Sequence, residues 1–338
     1  MTKHIAVVYP PHAFSTRDVA VGYSKAFQRL GLHVTEIHYE EIWKKWCDIQ
    51  NLQELNPEPD KRWIFERATA DVVFEVLKCV PDVAIVIDGT QIHDIFWDWM
   101  DRLSIPTAVA MTDCPYNDVA NAYVASRCTF PFANDSWSAK KMGVPYLPMA
   151  YCKEIHHRMI VPNKYKCDVV FVGSGFPERK ALLEAVDWGD VDFRLFGYWE
   201  LDDDSPLKPH FQQDAVILNN IDTVQYYAGA KLVLNLDRTS IDFAGSKQIC
   251  GRGSVGPRIF EAAACGAVIV SQDTVPELYD LLGNNYIPFN DPELLSSIVK
   301  IFTQDDLAEM RAEMGAAVNA AMRGHSYEDR AIEMLHYF

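Results

Sequence analysis

Apolar positions along the first half of the chain fall into short runs separated by longer stretches of helical spacing. HIAVVYP and DVAIVIDG read as buried strands, the second ending in Asp88-Gly89, while HVTEIHY alternates like a half-buried one. Between them, Val19, Tyr23, Phe27 and Leu30 mark one face of a helix from Arg17 to Leu30 that stops at Gly31. An aromatic-rich helical region runs from about Glu40 to Cys79, broken at NPEPD by two prolines. IHDIFWDWMDRL reads as an amphipathic helix, IPTAVAMTD as a strand, and CTFPFA and PYLPMA as short strands.

After CKEIHHRMIVPNKYK the pattern restarts. CDVVFVGSG is a strand running into a Gly-Ser-Gly turn, and PERKALLEAV is a helix with proline in its first turn. VDFRLFG, KLVLNLD, AVIV and NYIPF are further strands with helical segments between them, and Asp305 to Phe338 is helical except at RGHSYED. Strands alternating with helices predict mostly parallel sheets covered on both faces. The fold class is α/β, in two doubly wound halves with a break near residues 154–165.

Composition adds limits. A chain of 338 residues suits about two domains. No apolar run reaches the roughly 18 residues of a membrane span, and MTKHIAVVYPP lacks a signal-peptide pattern, so a cytoplasmic location is expected. The net charge of −16 argues against a surface that coats nucleic acid non-specifically, though not against a local basic groove. The eight cysteines are scattered without a C-x-x-C pair, which predicts buried reduced thiols. Cys152 and His156 are spaced i, i+4, but further ligands are not evident nearby, so no metal site is expected.

Ligands of open parallel sheets bind outside the carboxyl ends of the strands, which singles out a few turns. In FVGSGFPERK, Gly173, Ser174 and Gly175 let the backbone approach a ligand closely, the next helix offers free N–H groups to an anion, and Arg179 lies in its first turn. A plain tight turn explains the same spacing. The long segment NLDRTSIDFAGSKQICGRGSVGPRIFE is rich in Gly and Ser and carries Lys247, Arg252 and Arg258 in an otherwise acidic protein. It leads into the small-residue helix RIFEAAACG, where Glu261 is either a complement to the helix dipole or a carboxylate for the two hydroxyls of a ribose. In MTDCPYND, Asp113 projects from a strand end towards the crevice or makes an Asx turn before Cys114-Pro115, and Asp88 has the same two readings. The first turn, YPPHAFSTRD, lacks the glycines of a dinucleotide fingerprint, which counts against an NAD enzyme, but His12 and Arg17 stand where it meets the crevice.

Taken together, RIFEAAACGAVIVSQDTVPEL, CDVVFVGSGFPERKALLEA, HSYEDRAIEML and FANDSWSAKKMGVPYLPMAYCKEIHH resemble the CgeB-type (spore maturation protein B) glycosyltransferases, over the second half closely and the first half loosely. That resemblance implies the retaining GT-B architecture. It divides the chain into a Rossmann-like acceptor-side domain at 1–158, a nucleotide-sugar-binding domain at 159–318, and a C-terminal helix at 319–338 crossing back to the first. It makes Glu261 the ribose-binding glutamate, assigns Gly173, Ser174, Gly175 and Arg179 to the phosphate-side turn, sets Arg258 beside the motif, and puts Asp113 near the reacting sugar. Many such enzymes carry an E-x₇-E pair, but the position eight before Glu261 is Gly253. The sugar is then held by another carboxylate or by N–H groups of the Gly251–Gly256 loop.

The implied reaction moves a glycosyl group from a nucleoside-diphosphate sugar, a UDP-sugar favoured, to a hydroxyl of a glycan, protein, small molecule or modified DNA base. Arg179, Lys247 and the helix N-termini stabilise the pyrophosphate leaving group, while His12, Arg17 and Asp88 lie on the acceptor side. The anomeric configuration is expected to be retained, with the departing phosphate oxygen deprotonating the acceptor, and neither metal nor organic cofactor is required. Other readings are a nucleotide-sugar epimerase or hydrolase, a non-catalytic nucleotide-sugar-binding protein, and a transferase acting on hydroxylated DNA bases. For the last, Lys44-Lys45, Lys61-Arg62 or Lys140-Lys141 would supply the basic patch.

Overall fold

The structure is a computed structural model that describes residues 3–11, 15–52, 61–213, 220–240 and 253–338. It divides into two compact units, one of Met1–Pro148 with Tyr327–Phe338 and one of Met149–Ser326.

The first unit runs β1 (His4–Val8), α1 (Ser15–Arg29), β2 (His33–Ile37), α2 (Tyr39–Leu52), α3 (Lys61–Cys79), β3 (Val83–Ile87), α4 (Asp94–Leu103), β4 (Thr107–Ala110), α5 (Asp118–Arg127), β5 (Phe130–Phe132) and α6 (Ser136–Met142). Its five strands are all parallel in the order β2-β1-β3-β4-β5, with Ile5 paired to both Val34 and Val83. The inner strands β3 and β4 are buried along their whole length because helices cover both faces, whereas the edge strand β2 is largely half-exposed. Phe96, Trp97 and Met100 of α4 fill the core on one side. Asp135 caps α6 by accepting from the Ser138 N–H at 2.9 Å, and Gly143, at φ 70°, ends that helix in the left-handed region where glycine carries no steric cost. PYLPMA is not a strand: it contributes one bridge, Tyr146 to Ala133, since its two prolines remove the donors a ladder needs.

The second unit runs β6 (Cys167–Val172), α7 (Pro177–Glu184), β7 (Phe193–Phe196), α8 (Asn220–Gly229), β8 (Ala230–Asn235), α9 (Pro257–Ala264), β9 (Ile269–Gln272), α10 (Pro276–Leu282), β10 (Ile287–Phe289), α11 (Pro292–Phe302) and α12 (Ala308–Ala321). These strands too are all parallel, in the order β10-β9-β8-β6-β7. Trp188 stacks on Phe193 at 3.8 Å under the β7 edge.

The chain then returns to the first unit as α13 (Tyr327–Leu335). Tyr327 lies over Gly22 and meets the Tyr23 ring at 5.1 Å, Glu328 pairs with Arg29 at 2.5 Å, and the buried Arg330 donates Nε to the Pro148 carbonyl at 3.0 Å. Among the described residues no helix is long and apolar enough to cross a membrane.

Candidate functional site

In each unit the strand order reverses direction at one point, the place beyond the strand ends where open parallel sheets bind their ligands. In the second unit that point lies between β6 and β8. The turn Gly173–Phe176 leaves β6, and the segment from Leu236 to Ser240 leaves β8.

Arg179 joins these exits. Its guanidinium donates to the carbonyls of Ser174 (3.1 Å), Leu236 (2.7 Å) and Asp237 (3.2 Å), and it lies over the rings of Phe171 and Phe176. Glu178, its neighbour on α7, accepts from the N–H groups of Thr239 (2.5 Å) and Ser240 (3.0 Å) and from the Ser240 hydroxyl (2.9 Å). Burial opposes its ionisation, yet these donors hold its carboxyl below the ordinary value.

Arg258 reaches from the first turn of α9 to the same strand ends. Nε donates to the Val172 carbonyl at 2.7 Å, Nη1 donates to Asn235 Oδ1 at 3.2 Å, and the guanidinium covers Phe171 at 4.6 Å. Asn235 in turn donates to Ser271 Oγ at 2.9 Å. Asp237, just beyond β8, is nine-tenths buried; its N–H donates to Gln272 Oε1 at 2.9 Å and its carboxylate accepts from the Thr274 hydroxyl. Burial outweighs that bond and the nearby arginines and raises its pKa.

Two helices begin near these strand exits without a side-chain cap. α7 starts at Pro177 behind Phe176, and α9 starts at Pro257 behind Gly256, so the N–H groups of both first turns receive no side-chain acceptor from the capping position. Such termini carry partial positive charge and suit an anion. Glu261 sits partly exposed in the second turn of α9, and its charge is felt by the buried Tyr227 and Cys265, whose pKa values are raised mainly by burial.

The glycines of the β6 turn answer to packing within the unit. A Cβ on Gly173 would strike the Arg258 guanidinium and the Phe171 ring, and one on Gly175 would stand 2.5 Å from the Trp199 ring. Gly253 is equally constrained, since a Cβ there would stand 2.5 Å from the Asp237 carboxyl carbon. Position 253, eight before Glu261, therefore has no room for a side chain beside the Asp237 carboxyl.

In the first unit that point lies between β1 and β3. It holds a hollow lined by Tyr9 and Pro10 from the β1 exit, Asp88 and Gln91 from the β3 exit, and Tyr39 and Ile92. Asp88 is buried, with φ at 74°. Burial first, then the charge of Asp113 beyond β4, pushes its carboxyl up to about 6. Thr90 Oγ1 lies 3.0 and 3.1 Å from its two oxygens. Arg17 stands on α1 and pairs with Glu40 at 2.8 Å.

The structure thus gathers Gly173, Ser174, Gly175, Arg179 and Arg258 at the exits of β6 and β8, sets Glu261 one turn along α9 near Tyr227 and Cys265, and brings the charges of Asp88 and Asp113 together beyond β3 and β4. His12 and Lys247 lie outside the described residues. His156 is buried and its Nδ1 accepts from the Cys152 N–H at 3.1 Å, so the pair closes a local turn, and burial lowers its pKa to about 4. Among the described residues no three His, Cys, Asp or Glu side chains group as metal ligands. Sequence reasoning passed over Glu178, Asn235, Asp237 and Thr274. A carboxylate immediately after the buried run KLVLNL was the available signal for Asp237.

Residues 179–336 match the model of a family described as Glycosyl transferase-like. No curated protein sequence matches the chain. Anabaena HepE, solved in complex with UDP-glucose, superposes with a TM-score of 0.68 at 12% identity, covering 99% of this chain and 98% of that one. Sucrose-phosphate synthase from Thermosynechococcus elongatus gives 0.64 at 10% identity, with 99% and 98% covered. The DNA modifying enzyme β-glucosyltransferase gives 0.59 at 13%, with 99% and 98% covered. The fold is GT-B, with two Rossmann-like units each built on a parallel sheet.

Proposed function

We propose that the chain is a glycosyltransferase that takes a sugar from a nucleoside diphosphate, UDP-sugars favoured, and places it on a hydroxyl acceptor. The observation that carries this reading is the convergence of two uncapped helix N-termini with Glu261 at the switch point of the second unit. The N-termini suit the pyrophosphate, and a carboxylate one turn further along suits the ribose hydroxyls. The glycosyl-transferase-like match over residues 179–336 and the UDP-glucose bound to HepE support the donor class.

In the reaction the bond between the anomeric carbon and the phosphate oxygen breaks, its electron pair leaving with the nucleoside diphosphate, and the acceptor oxygen bonds to the anomeric carbon. Charge grows on the pyrophosphate, and N–H groups already pointing at it need no reorganisation. Arg179 and Arg258 act here by holding the strand exits in place, because their guanidinium groups serve the carbonyls and Asn235 of those exits. Lys247 is assigned to the leaving group, Asp113 to a place near the reacting sugar, and His12, Arg17 and Asp88 to the acceptor side. Following the CgeB-type resemblance, the course is retaining, the departing phosphate oxygen taking the acceptor proton. This reading uses no metal or organic cofactor and places the protein in the cytoplasm.

A hydroxylated DNA base is a second acceptor reading, supported by the likeness to the DNA modifying β-glucosyltransferase. The net charge of −16 weighs against it, as do the ion pairs of Lys45 with Asp71, Arg62 with Glu66 and Lys141 with Asp118, which engage one cation of each candidate basic patch.

A thermal-shift panel of UDP, GDP, ADP, CMP, their sugar conjugates and NAD tests the donor site on wild type and Glu261→Ala. A ligand at 100 times its dissociation constant adds about 2.7 kcal/mol. Stabilisation by one nucleoside diphosphate, lost in Glu261→Ala, is the expected result, followed by release of that diphosphate from its sugar conjugate on addition of acceptor. A flat panel, or a shift indifferent to Glu261, favours a protein whose fold has outlived the chemistry.

A further inference from the structure

We propose that Arg238 is the side chain that grips the diphosphate of the donor, reaching it from the exit of β8 at the head of α7. This rests on the glycosyltransferase reading and adds a contact residue to it.

Among the described residues three arginines meet at the exits of β6 and β8, and two of them are turned inward. Arg179 gives Nε, Nη1 and Nη2 to the carbonyls of Asp237, Ser174 and Leu236. Arg258 gives Nε to the Val172 carbonyl and Nη1 to Asn235, and its Nη2 fills the space beside Gly173. Both lie over the buried ring of Phe171. Their forks serve the protein's own oxygens, which fixes the strand exits and draws these two cations away from a ligand.

Arg238 is built in differently. Its main chain is held on both sides: the Asp237 N–H donates to Gln272 Oε1 at 2.9 Å, and the N–H groups of Thr239 and Ser240 donate to Glu178 at 2.5 and 3.0 Å. Its guanidinium, on a half-buried residue, lies over the Phe176 ring, 5.1 Å from the centre. Phe176 directly precedes Pro177, where α7 begins without a side-chain cap. A fixed cation therefore stands at the helix end that already carries partial positive charge. A ring engages the face of a guanidinium, whereas the planar N–H edge is what pairs with two phosphate oxygens at once.

Two carboxylates stand close by, and each is supplied with donors from its own surroundings. Glu178 accepts from Thr239 and from both the N–H and the hydroxyl of Ser240, and Asp237 accepts from the Thr274 hydroxyl. A diphosphate at this place meets the charge of Arg238 together with the N–H groups of the first turn of α7. As the bond to the anomeric carbon breaks, the charge growing on the leaving diphosphate faces a cation already in position.

Isothermal titration calorimetry of the full chain with UDP and with inorganic pyrophosphate tests this, alongside melting without ligand. Arg238→Gln is expected to weaken both ligands about 10–100-fold, the worth of a hydrogen bond to a charged group, and to melt with the wild type. Arg238→Lys keeps the charge without the planar fork and should recover part of the lost affinity. If Arg238→Gln melts early, the lysine variant decides: recovered affinity supports the contact, and affinity as low as that of the glutamine variant overturns it. UDP bound equally well by wild type and Arg238→Gln overturns the proposal and leaves the donor reading standing. Pyrophosphate binding that depends on Arg238, with UDP left unbound, keeps the anion contact and sinks the UDP donor. A wild type that binds neither ligand overturns both.

Discussion

Gly253 and Asp237 occupy one volume: a Cβ on the first would lie 2.5 Å from the carboxyl carbon of the second. The carboxylate beyond β8 therefore excludes any side chain at 253. Gly253→Ala should cost about 1–3 kcal/mol, as overpacking does, read as a lower melting temperature of the second unit. Combined with Asp237→Ala the cost should be less than the sum of the two, because the residues touch. Additive losses would mean that the contact is not what keeps a glycine there.

Arg179 offers a different kind of test, because its donors go to three main-chain carbonyls on two strand exits. Arg179→Ala leaves those acceptors without their partner and should lower stability by about 2–4 kcal/mol. Arg179→Lys should recover little, since an ammonium cannot reproduce the planar fork. Chemical denaturation of the three proteins measures this, and a lysine variant as stable as wild type would contradict it.

Asp88 predicts a pH dependence. Its carboxyl is raised from 3.8 to about 6, chiefly by burial. Between those values the folded state keeps a proton that the unfolded chain has released, so stability falls as pH rises across the window. Asp88→Asn removes this ionisation and should be more stable than wild type above pH ~6 by about 2–3 kcal/mol, a gap that closes towards pH ~4. Denaturant midpoints at several pH values decide it; a gap independent of pH would rule out this titration as its origin.

Gly22, inside α1, lies under the Tyr327 ring, where a Cβ would collide. Alanine is the better helix former, but only by about 1 kcal/mol, and the ring contact should outweigh that gain. Gly22→Ala should therefore melt the first unit earlier, and Tyr327→Leu in the same chain should restore part of the loss. Amide exchange along α13 would show whether that helix is what loosens.

The strands were legible because parallel strands buried on both faces read as unbroken apolar runs: VAIVI of β3 and VVF of β6 could hardly be anything else. α5 was not, since its apolar Val119 and Tyr123 face solvent and leave no clear stripe. At the site, the glycine turn after β6 stood out, but its cause did not. The groups that need Gly173 and Gly175 to be bare are Arg258 and Trp199, distant in sequence and near only in the fold. For the same reason Glu178 looked like an ordinary first-turn acid, until its carboxylate was seen accepting from Thr239 and Ser240.

The return of α13 has a consequence for how the protein is made. The first unit is closed by residues that leave the ribosome after the entire second unit has been synthesised. Chains emerge at roughly 5–20 residues per second and domains tend to fold as they appear. The later-made unit is thus free to fold first from a continuous stretch, while α1 waits with Gly22 and Tyr23 uncovered. A nascent chain stalled before Tyr327 would present that bare helix face to chaperones, and a stop codon ahead of Tyr327 would injure the unit that was made first.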